Sequence, residues 1–135
     1  MNDKQQSTHP NLDRLAAVHA QKIISRFPAD KKSSEIDNTV TKALGILQEN
    51  GVYACFLYLE AKEGKNGEVV VNEMLGLLDG LGFGWGMPAD NGPATVLKHI
   101  TDNVTVNLER LLLAKETLEQ MLIYARYGAK ARSAE

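Results

Sequence analysis

Toward the end of the chain Val104, Leu108, Leu111, Leu118, Leu122, Ala125 and Ala129 return at three- and four-residue steps, broken once by Lys115. Steps of that size line up side chains along one face of an α-helix. The seam predicts a helix of roughly thirty residues starting near Asp102 or Asn103, and so long a helix with one apolar face needs other helices to cover it. The expected fold class is therefore all-α: a single compact helical bundle of about five to six helices, with the long C-terminal helix as its spine.

Upstream segments fit that frame. Leu12, Leu15, Ala16, His19, Ile23 and Phe27 mark a first helix, with Pro10 suited to its first turn and Pro28 stopping it. Ser34 and Asp37 have the spacing of a capping box, and Ile36, Val40, Ala43, Leu44 and Leu47 form a second stripe. Asn50 and Gly51 both tolerate positive φ, so that helix ends or bends there. The aromatic content of "VYACFLYLEAKEG" suits a strand. Its lack of alternation and its charged continuation suit a helix emerging into solvent, and helix is predicted. Lys65, Asn66 and Gly67 read as a turn. In "EVVVNEMLGLLDGLG", residues 69–71 are strand-like, while Val70, Met74, Leu77, Leu78 and Leu81 fit a helix face. Pro93 opens a further helical segment with Val96, Leu97 and Ile100. Residues 1–8 are expected to be a disordered tail, and residues 9–135 the bundle domain.

The 135 residues suffice for one domain with a real core. Hydrophobic residues at 44% and charged residues at 24% place the chain among soluble globular proteins. The longest apolar run, residues 52–59, is too short to span a bilayer, and the polar N-terminus lacks a signal core. A cytoplasmic protein with no membrane partner is expected. Cys55 stands alone inside that apolar run and reads as a buried thiol. The net charge of -2 and sequence pI near 5.9 argue against an avid, non-specific nucleic-acid binder. The charge is uneven, however. Residues 51–107 hold three cations against seven acids, whereas residues 1–50 hold seven against six and residues 108–135 five against four.

No catalytic constellation stands out. His9, His19 and His99 are scattered, without the spacing of a metal site, and His19 on an apolar stripe reads as a half-buried core histidine. The acids Glu109, Glu116 and Glu119 read as solvated surface groups of the last helix. Gly80, Gly82, Gly84 and Gly86 alternate with Leu81, Phe83 and Trp85, which matches neither dinucleotide nor P-loop spacing. A connector with Phe83 and Trp85 tucked against the bundle is the simpler reading. No enzyme, cofactor or metal is expected. What remains is cationic: Arg126 and Lys130 project from one side of the last helix, flanked by Tyr124 and Tyr127. Long cations on a rigid element can hold phosphate and exposed aromatics can stack bases, although cations near a helix C-terminus are also favoured by its dipole.

Two blocks carry a resemblance. In residues 42–64, Lys42, Leu44, Leu47, Asn50, Gly51, Phe56 and Leu57 stand in a pattern of a cation, a leucine-rich turn, an Asn-Gly break and a helix ending in Phe-Leu. In the last helix Glu116 and Leu118, then Arg126 and Tyr127, follow an acidic-leucine run closed by an Arg-aromatic pair, with Ile123 where a tryptophan is usual. Together they resemble the small subunit of type III-B (Cmr) CRISPR effector complexes over roughly a third of the chain. The resemblance implies a non-catalytic subunit that stacks in copies and holds guide and target RNA through backbone contacts, beside the other subunits. It points to Lys42 and Arg126 as RNA-binding residues. Lys130, Lys22 and Arg26 are added from helix-face geometry. The rival reading is a helical protein–protein adaptor that binds no nucleic acid.

Overall fold

The computed structural model describes residues 10–133; the tail expected over residues 1–8, and His9, lie outside them. The described chain forms α1 (Leu12–Arg26), α2 (Ser33–Asn50), α3 (Val52–Lys62), α4 (Gly64–Gly80), α5 (Pro93–His99), a π-helical turn (Ile100–Val104) and α6 (Leu108–Ser133). It contains no strand, so both segments with strand-like composition are helical. This is a compact helical bundle with a long C-terminal helix, as the apolar seam predicts.

The 26-residue α6 lies along α1 and α2, and α3 and α4 close the bundle against them. Helix α1 runs parallel to α6: Asp13 meets Tyr124 near one end, and the Ile24 carbonyl meets Arg132 near the other. Helix α2 runs back, with Asp37 in its second turn reaching Lys130. The core draws on every long helix, with Ile23, Ile36, Leu47, Phe56, Met74 and Leu118 fully buried. Burying such a side chain is worth about 1.5–3 kcal/mol, which outweighs the modest intrinsic helix propensity of the β-branched and aromatic residues involved.

Several boundaries differ from the sequence-based expectation. Asn11 caps α1 by accepting from the Arg14 amide at 3.0 Å, so Pro10 precedes the helix rather than opening it. No side chain caps α2, and Asp37 bonds the Thr41 hydroxyl and Lys130 instead of completing a capping box. Residues 65–67 are not a turn. The turn is made one step earlier by Gly64, at φ +56, and Gly67 lies inside α4 where a Cβ would come within 2.6 Å of the Leu59 carbonyl oxygen. Glycine there serves close helix crossing rather than chain reversal. Gly51, at φ 100, does break the chain between α2 and α3. The last helix begins at Leu108, where the Asn107 side chain accepts from the Arg110 amide at 3.0 Å. Val104 therefore belongs to the π-turn, and Leu108 is exposed rather than part of the seam. Leu111 is partly buried, and from Leu118 onward the seam is buried as predicted.

Residues 81–92 form the irregular connector, with Phe83 and Trp85 packed partly against the core and their ring centroids 5.0 Å apart. Arg110 lies over Phe83 at 4.8 Å, a cation–π contact that ties the connector to the start of α6. Among the described residues no helix is long and apolar enough to cross a membrane.

Candidate nucleic-acid interface

The predicted cations fall on three surfaces. Arg126 and Lys130, four residues apart on α6, both face Asp37 of α2. Lys130 Nζ lies 3.1 Å from one carboxylate oxygen, and Arg126 Nε lies 3.9 Å from the other. The Thr41 hydroxyl donates to the same carboxylate at 2.8 Å. That hydrogen bond, with Lys130 and Arg126 behind it, holds the Asp37 carboxyl below its ordinary range. Two cations thus converge on the Asp37 carboxylate. Beside them lies a small cavity of about 240 Å³ bounded by Ser33, Ser34, Asp37, Ala129 and Lys130. It opens at the start of α2, whose first-turn amides have no side-chain cap. Tyr127 stands 65% exposed next to Arg126, an aromatic face open to solvent. Tyr124 does not join it, because its hydroxyl donates to Asp13 on α1.

Lys42 is exposed on α2 and has no ion-pair partner among the described residues, but it lies away from that cluster. Five residues separate it from Asp37, about 140° around the helix at 3.6 residues per turn. Lys22 and Arg26 share one side of α1, on the flank that meets α4. Lys22 is exposed, whereas Arg26 Nε lies 2.7 Å from the Glu73 carboxylate of α4. The other Glu73 oxygen lies 2.8 Å from His19 Nδ1. Glu73 is buried at 3% exposure, so not all carboxylates lie on helix surfaces. It stays inside because two nitrogens partner it, as a buried charge requires. The half-buried histidine expected on α1 is in fact buried and bonded.

Arg132, the last cation of α6, turns inward and donates to the carbonyls of Ile24, Pro28 and Lys31. It satisfies orphan acceptors at the end of α1 and joins α6 to the α1–α2 connection. Of the two acids that organise these cations, Glu73 carried a readable signal: it lies three residues after Val70 on the apolar stripe of α4. Asp37 carried none, because its partners lie 89 and 93 positions away (126 − 37 and 130 − 37).

Cys55 is buried and donates to the Ala43 carbonyl at 3.4 Å, and burial pushes its thiol up to about 12. No group of three or more His, Cys, Asp or Glu among the described residues could hold a metal ion. No protein-family model, curated protein or solved structure matches the chain.

Proposed function

We propose that the chain is the small, non-catalytic subunit of a type III CRISPR RNA-targeting effector complex, holding guide or target RNA by its backbone while other subunits perform the chemistry. The observation that carries the reading is the outer face of α6. There the Arg126–Tyr127 pair of the resemblance stands exposed, beside Lys130 and the uncapped start of α2. A guanidinium, an ammonium and open backbone amides suit a phosphate, and Tyr127 offers a stacking surface for a base. The ion pairs with Asp37 do not block this. Pairs this exposed contribute only about 0–1 kcal/mol, so a phosphate can compete for the same cations.

Contacts of this kind are sequence-tolerant and salt-sensitive. One copy offers few of them, and repetition along one strand multiplies their effect. Lys42 and Lys22 serve as outlying grips, whereas Arg26 is committed to Glu73.

A gel-shift titration of the full chain with single-stranded RNA tests the reading. RNA should be retarded at low salt and released as salt rises, and the triple variant Lys42→Ala, Arg126→Ala, Lys130→Ala should retard it much less. A folded wild-type chain that shifts no RNA at low salt would favour the adaptor reading, which the exposed apolar residues at the start of α6 also suit.

A further inference from the structure

Where α1 ends against the first turns of α4, the chain leaves a cavity of about 330 Å³, enough for a small ligand. Its lining is mostly apolar, with Phe27, Pro28 and Val69 as the floor. Two ties hold its walls. Arg26 at the end of α1 binds Glu73 of α4, and Arg132 donates to the carbonyls of Pro28 and Lys31. The cavity is therefore formed before anything enters it, which lowers the cost of binding.

The polar groups around this floor are few. Asn66, Val69 and Asn72 follow at three-residue steps, so they share one side of α4. Asn66 and Asn72 are half-buried, and neither side chain has a hydrogen bond among the described residues. Each primary amide holds a donor and an acceptor side by side, and is met best by an edge that holds both as well. Glu68 at the rim adds a further acceptor. Lys65 has no ion-pair partner among the described residues, and Lys31 has only a 3.6 Å contact with Glu35. Lys65 stands in the first turn of α4, which no side chain caps and whose amides and dipole favour an anion.

An apolar floor, two free amides and two ammonium groups match a flat nitrogen heterocycle that carries a phosphate. The geometry points to a nucleotide site in this cavity, for a base with an exocyclic amine beside a ring nitrogen, as in adenine. Asparagine meets that edge with two hydrogen bonds. The ring lies on the floor, and Lys31 and Lys65 take the phosphate. A free nucleotide and one unstacked residue of an RNA strand present this same chemistry. The site uses none of the residues assigned to RNA above and goes beyond that reading.

Isothermal titration calorimetry of the full chain with AMP, up to about 10 mM, covers the affinity a ligand of this size can reach. AMP should bind with a dissociation constant below about 1 mM. IMP, with an oxygen in place of the amine, should bind at least about fivefold more weakly. Ribose phosphate, which lacks the base, should bind at least about tenfold more weakly. The double variant Asn66→Ala, Asn72→Ala should lose about tenfold or more in AMP affinity with an unchanged circular dichroism spectrum. Proton–nitrogen correlation spectra of the wild-type chain need no variant to fold, and in them AMP should move the side-chain amide signals of Asn66 and Asn72. The dinucleotide pApA binding more tightly than AMP marks a strand residue as the occupant, and the reverse order marks a free nucleotide. Absence of both heat and shifted signals with AMP, ribose phosphate binding as tightly as AMP, or shifts confined to other side chains would overturn the inference. An RNA gel shift without AMP binding sinks this site alone, and AMP binding without a gel shift sinks only the RNA reading.

Discussion

At Glu73 a single carboxylate fixes the junction of α1 and α4, through His19 on one oxygen and Arg26 on the other. Removing the Arg26 guanidinium strands a buried charge with one remaining partner. Arg26→Ala should therefore lower unfolding free energy by about 3 kcal/mol in a urea titration. An ordinary surface arginine would change it by less than about 0.5 kcal/mol. Asp37 plays the corresponding part on the α2–α6 face, at a more exposed place. Its pKa lies below the ordinary 3.8 because the Thr41 hydroxyl, Lys130 and Arg126 favour the ionised form. A group depressed in the folded state binds protons more readily when unfolded. Its contribution is therefore complete above the unfolded value and is lost as pH falls through the folded value. The wild-type chain should lose stability more steeply than Asp37→Asn as pH drops below about 4, as acid melts followed by circular dichroism would show.

The helices were legible in the sequence to different degrees. The stripes of α1, α2 and α4 and the seam of α6 from Leu118 onward pack into the core where their periodicity puts them, because burial is what that periodicity encodes. Boundaries were less legible. Gly64 and Gly67 look alike in sequence, yet one turns the chain and the other lets α4 cross Leu59 closely, and only tertiary packing separates those uses. The π-turn was hidden for a similar reason. It keeps Ile100 and Val104 both buried, so the apolar pattern runs on through it without a break and reads as the start of α6. Gly51, in contrast, announced itself as a break and holds φ 100. Gly51→Ala should destabilise the bundle by about 1–3 kcal/mol through backbone strain alone, because open space surrounds the position. Thermal melts should show the shift. A melting temperature equal to wild type would mean that the α2–α3 junction relaxes to another conformation.

Taken whole, the molecule spreads its cations over separate faces and ties many of them to acids. Spacing reveals only the local pairs, such as Lys115 with Glu119; the acids that meet Arg26, Arg126 and Lys130 come from other helices and stay unread. On the α6 face two cations meet at one carboxylate beside the exposed Tyr127. If that face grips RNA, Asp37 competes with phosphate, and removing its charge must act opposite to removing the cations. Fluorescence anisotropy of labelled single-stranded RNA, titrated with wild type, Asp37→Asn and the double variant Arg126→Ala, Lys130→Ala over a range of salt, tests this most directly. Asp37→Asn should tighten binding several-fold. The double variant should weaken it about tenfold or more and flatten the salt dependence, by roughly 0.7 in log–log slope for each phosphate that the variant no longer neutralises. Equal affinities for all three chains, or weaker binding by Asp37→Asn, would contradict the account.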